Sequence, residues 1–74
     1  EGSEIYIKPT NLFVPMGEPV TLYTLAAATA QAGQMLLGLR LRSADGGFEV
    51  RINPDKEESL TFAEGDCAIV LAQD

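Results

Sequence analysis

Gln34-Met35-Leu36-Leu37-Gly38-Leu39-Arg40-Leu41-Arg42-Ser43-Ala44-Asp45-Gly46-Gly47-Phe48-Glu49-Val50-Arg51-Ile52 is the stretch on which the fold turns. From Gln34 to Arg42 the chain alternates, with Met35, Leu37, Leu39 and Leu41 on one face and Arg40 and Arg42 on the other, as a half-buried strand does. Ser43 to Gly47 has hairpin-loop chemistry, because Asp and Gly tolerate positive φ. Phe48 to Ile52 then resumes the alternation, so the stretch predicts an antiparallel hairpin. In that hairpin Glu49 is expected near Arg40 or Arg42 across the strands, a surface pair worth only about 0.2–1 kcal/mol.

Working outward, Leu22 to Ala32 is rich in Ala and Leu with no interior Gly or Pro, which favours helix. Thr21 is placed to cap its first turn and Gly33 to stop it. Leu22, Leu25, Ala26 and Thr29 fall on one stripe of that helix, expected to face a sheet. Upstream, Glu4-Ile5-Tyr6-Ile7-Lys8-Pro9 alternates and Pro9 closes it, giving an exposed-sided strand. Between them Pro9, Pro15, Gly17 and Pro19 impose an extended connection, with Leu12, Phe13 and Val14 pinning it to the core. Downstream, Asn53 to Glu58 is a polar turn, Ser59 to Phe62 a short extended segment, and Ala63 to Asp66 another turn. Cys67 to Ala72 is apolar at every position, as a central strand covered on both sides would be. The expected class is α+β: one domain over residues 1–74, a small, mostly antiparallel sheet with one main helix packed on it.

At 74 residues the chain is short, and such a domain buries only about 60% of its unfolded surface, so a partner surface is expected. Eleven Asp and Glu against five Lys and Arg give a net charge of -6, a field that repels phosphate backbones and anionic lipids. Nucleic acid is therefore not an expected partner. No apolar run is long enough to span a bilayer, so direct membrane insertion by this segment is not expected either. Histidine is absent, which removes the commonest general base and zinc ligand. Cys67 is the single cysteine, set in an apolar run, and reads as a core residue; it can form no internal disulfide. The chain opens Glu1-Gly2-Ser3 without an initiator Met, so a piece of a longer protein is expected.

Acidic residues gather at Asp55, Glu57 and Glu58 and again at Glu64 and Asp66. Carboxylates among loop carbonyls are the donor set that calcium uses, although the spacing is not that of an EF-hand, and solvated turn charge stays open beside the metal. Asp66, after Gly65, is also suited to bond downstream amides and set the start of the last strand. Nothing supplies a nucleophile, an oxyanion site or a phosphate-cradling loop, so no catalytic residues and no cofactor site are assigned. The default expectation is non-enzymatic assembly, with a homodimer as the simplest form. Leu36, Ala68 and Val70, taken to lie opposite the leucine row, are the candidate interface residues.

Beyond composition, particular residues resemble a family. Gly2-Ser3-Glu4-Ile5-Tyr6-Ile7-Lys8-Pro9, Gly17-Glu18-Pro19-Val20, Leu37-Gly38-Leu39-Arg40-Leu41, Ile52-Asn53-Pro54-Asp55-Lys56 and Phe62-Ala63-Glu64-Gly65-Asp66-Cys67-Ala68-Ile69-Val70-Leu71-Ala72 together resemble a regulatory segment of the Castor/Pollux ion-channel family. The closing Gly-Asp and apolar strand are shared with RCK C-terminal (TrkA-C-like) domains in general. The resemblance implies an RCK C-terminal-like fold and a regulatory lobe of a cation or potassium channel, acting by ligand- or ion-dependent subunit assembly. Its partners would be further copies and the remaining regulatory and pore domains of the parent channel, on the cytoplasmic side of the inner membrane if bacterial. Two alternatives stay open: a free-standing homodimeric ligand-binding module not attached to a pore, and a small enzyme using Glu57, Glu58 or Asp66.

Overall fold

The computed structural model describes residues 2–73 and folds the extended and helical runs in this order: β1 (Ser3–Pro9), a 3₁₀ turn (Thr10–Leu12), β2 (Pro19–Thr21), α1 (Leu22–Gln31), β3 (Gln34–Arg42), β4 (Phe48–Ile52), β5 (Ser59–Thr61) and β6 (Cys67–Gln73). Four strands form an antiparallel sheet in the order β1-β6-β3-β4, and β2 and β5 form a separate antiparallel pair. The architecture is α+β. β6 takes a central place because it is apolar from Cys67 to Ala72, whereas the edge strands β1 and β4 alternate.

The helix starts and stops where its termini can be satisfied. Thr21 has extended geometry, and its Oγ1 accepts from the amide of Thr24 at 3.3 Å. The amides of Leu22 and Tyr23 donate to the carbonyls of Glu58 (3.0 Å) and Lys56 (2.9 Å), so the polar turn before β5 satisfies donors that the first turn leaves orphaned. Gly33, at φ +79°, supplies the left-handed exit. The expected stripe is the buried one: Leu22, Leu25 and Thr29 are fully buried, Thr29 returning its hydroxyl to the Ala26 carbonyl at 3.0 Å. Against them pack Leu39, Ala68 and Val70 from the sheet, with Phe62 and Val14 from the connections. Burial of each such aliphatic side chain contributes about 1.5–3 kcal/mol.

The leucine row of β3 departs from strict alternation. Met35 pairs with Leu71 and Leu36 with Val70, but the next partner of Ile69 is Gly38, so Leu37 is an extra residue and β3 bulges there. One inserted residue reverses which parity faces the core. Leu36 therefore joins Leu39 and Leu41 against the helix side, while Met35 is 61% exposed. This corrects the expectation that Met35, Leu37, Leu39 and Leu41 share one face.

It also corrects the interface assignment, since Ala68 and Val70 are fully buried beneath the helix and Leu36 packs on the same core. None of the three lies on a surface opposite the helix. Glu49 is likewise displaced from its expected partners. It stands opposite Leu41, whereas Arg40 stands opposite Val50 and Arg42 opposite Phe48, so the arginines lie on the other face of the hairpin.

Gly38 is fixed by close approach: a Cβ there would collide with the Arg51 carbonyl oxygen and lie 3.1 Å from Ile52 Cδ1. The absence of a side chain lets β4 close on β3 directly after the bulge.

Candidate functional site

The acidic residues do not converge. Among the described residues no three Asp, Glu, His or Cys side chains come together as a metal-holding group. Glu58 forms a two-pronged ion pair with Arg51, one bond at 3.0 Å to Nη1 and a second to Nη2. The Arg51 guanidinium holds the Glu58 carboxyl below its usual range. Asp55 Oδ1 accepts the amide of Glu57 at 3.0 Å, a local turn bond. Glu57 and Glu64 are exposed.

Asp66 is engaged on both oxygens. Oδ1 accepts the amide of Arg42 and Oδ2 the amide of Ala63, each at 2.9 Å. These are an upstream amide and a cross-strand amide, where downstream amides were expected. The Asp66 carbonyl also accepts from the amide of Thr10 (3.0 Å) and from its hydroxyl (3.2 Å), and Thr10 is fully buried. Gly65 and Asp66 thus tie the ends of β1, β3 and β6 together. Gly65 has φ +97°, and the stem of Arg42 lies so close over it that a Cβ would collide. In the hairpin loop Asp45 has an equally local role: its Oδ1 accepts from the Ser43 hydroxyl at 2.5 Å and from the Gly47 amide at 3.0 Å, bonds that lower its pKa.

The feature that alternation alone did not reveal is the far face of the sheet. Since Ile5 pairs with Leu71 and Ile7 with Ile69, and β3 and β4 continue the rows, one face carries Ile5, Ile7, Met35, Phe48, Val50 and Ile52. Their exposures are 64, 49, 61, 53, 56 and 66%. Ile69 and Cys67 lie between them on β6, each 8% exposed. One ten-residue helix covers one side of four strands and leaves the other bare. That ratio, with the apolar set of β4 alternating against Glu49 and Arg51, is the signal by which the sequence could have shown this face.

Arg40 crosses the same face. Its guanidinium carbon lies 4.3 Å from the centroid of the Phe48 ring, and Nη2 is 3.8 Å from the Cys67 sulfur. Its Nε is buried with no hydrogen-bond partner among the described residues. Cys67 is buried, as expected for a core residue, but it belongs to the uncovered side.

A shallow groove of about 800 Å³ runs beside the bulge, lined mainly by apolar groups including Ala26, Ala30 and Leu37, with Gln34, Asn53 and Lys56 as polar members. A second, of about 600 Å³, lies by the Gly65-Asp66 turn and includes Met16, Arg42 and Cys67. No helix among the described residues is long and apolar enough to cross a membrane. In comparison with known proteins, no family model matches the chain and no curated protein gives a significant match.

Proposed function

We propose that the chain is a non-enzymatic regulatory lobe of a Castor/Pollux-like cation or potassium channel, with an RCK C-terminal-like fold, acting through subunit assembly. The observation that carries this proposal is the ordered set of family-like segments from Gly2 to Ala72. Pro9 ends β1, Asn53 takes φ +53° ahead of Pro54, and Gly65-Asp66 binds three strand ends, so several of those residues sit at junctions of the fold. The bare apolar face supports the assembly half of the proposal, because a lobe that transmits a ligand signal needs a surface whose contacts differ between two arrangements. Ligand or ion binding that favours one arrangement then biases the attached pore by the difference in affinity.

The test is deletion of residues 1–74 from the parent protein, followed by current recording in planar bilayers. Loss of ligand or ion dependence with conduction retained is the expected result. A parent protein lacking membrane-spanning segments, or gating unchanged by the deletion, would overturn the channel proposal.

A further inference from the structure

The uncovered sheet face has the size, shape and charge of a surface built for its own copy. Taking about 200 Å² for a fully exposed side chain of this class, its six exposed apolar residues offer roughly 700 Å². That exceeds the ~300–600 Å² of the largest apolar patch on a typical monomer and approaches the ~800 Å² per partner of a stable interface. The surface is a broad pleated sheet, and the shape that complements it is a second sheet stacked about 10 Å away.

Charge narrows the occupant further. The chain carries eleven carboxylate residues, yet the strand positions of this face hold none, while Arg40 and Arg42 lie together at its Phe48 end. Two copies can therefore meet without opposing the acidic charge that dominates the rest of the molecule. The arginines set the direction. A two-fold axis along the strands would bring four guanidinium groups together, whereas an axis across them lays the Arg40-Phe48 end of one copy over the apolar Ile5-Met35 end of the other.

We infer that the face formed by Ile5, Ile7, Met35, Phe48, Val50 and Ile52 is the homodimer interface, with two sheets stacked face to face and their strands running in opposite senses. The inference rests on the assembly half of the function proposed above and is independent of attachment to a pore. It moves the interface from the helix-side residues Leu36, Ala68 and Val70 to the opposite side of the sheet.

Sedimentation equilibrium of the whole chain over a dilution series, with Val50→Lys, Ile5→Lys and the helix-surface control Tyr23→Lys, tests it directly. Tyr23 is 60% exposed on α1, away from the sheet. The expected result is a wild-type dimer, a Tyr23→Lys dimer of equal strength, and at least ~100-fold weaker association for either face variant with the far-UV circular dichroism retained, because the strand positions of this face hold arginines and no carboxylate to pair the cation that each would bury. Filtered NMR on a mixture of labelled and unlabelled wild-type chains provides a measurement that does not depend on the variants folding. Met35 and Phe48 lie about 20 Å apart within one chain, as seven strand residues require, so Met35-methyl to Phe48-ring contacts between copies identify the opposed stacking.

A dimer unaffected by folded face variants, or one without those contacts, overturns this face while leaving subunit assembly standing. A wild-type chain that stays monomeric at several hundred micromolar overturns both.

Discussion

Replacing Asp66 by Ala separates a structural clamp from a cation ligand. The carboxylate accepts two backbone amides at 2.9 Å, from Arg42 on β3 and from Ala63 in the preceding turn. Hydrogen bonds to a charged group contribute about 1.5–3 kcal/mol each, and the half-buried setting places these at the lower end, for a combined loss of about 2–4 kcal/mol. A domain of this size shifts in Tm by about 4–8 °C per kcal/mol, so Asp66→Ala should melt roughly 10–25 °C below the wild type. Asp66→Asn keeps one carbonyl acceptor but not the charge, and should fall between them. The assay is thermal unfolding followed by circular dichroism at one fixed protein concentration, because association would make Tm concentration-dependent. Each protein is measured in chelator and in millimolar calcium. With both carboxylate oxygens already engaged, calcium should move none of the three transitions. An Asp66→Ala midpoint within about 2 °C of wild type in chelator would refute the clamp, and a calcium-dependent rise lost in the variants would return Asp66 to the role of ligand.

Three further outcomes follow from particular contacts. Gly38→Ala should lower stability by about 2 kcal/mol or more and disturb the β3–β4 register, because its Cβ would collide with the Arg51 carbonyl oxygen; native-like amide shifts across β4 would count against this. Thr21→Ala should cost about 0.5–2 kcal/mol in denaturant unfolding through loss of the N-cap, while Thr21→Ser should retain most of it. The folded pKa values of Asp45, held by the Ser43 hydroxyl, and Glu58, held by Arg51, lie below their ordinary values. Their stabilising effect is therefore present above the unfolded carboxylate range and is lost as pH falls below about 4. Carbon-detected NMR titration should show both depressed midpoints, and Arg51→Gln should raise that of Glu58 while leaving Asp45 unchanged.

Much of the local structure was legible because it depends on neighbours in sequence. Thr21 caps and Gly33 ends the helix through their own backbone geometry, and Leu22, Leu25 and Thr29 are buried on the predicted stripe. The Asp45-Gly46-Gly47 loop joins β3 to β4 as its turn chemistry requires. The α+β class follows from that order of periodicities.

What only the tertiary structure decided is which way each strand faces. A period of two defines two faces without saying which one meets the helix, and the single extra residue at Leu37 exchanges them partway along β3. The bulge puts Leu36 in the core and Met35 on the surface, while the packing of the helix on the sheet turns Ala68 and Val70 inward and leaves Ile5, Val50 and Ile52 outward. The acidic turns dispersed for a related reason: Glu58 and Asp66 lie eight positions apart in sequence, but their partners, Arg51 and the Arg42 amide, are set by how strands close across the fold. Local propensity fixes conformation residue by residue, whereas register, and with it every surface this chain offers a partner, is a long-range property of the packed sheet.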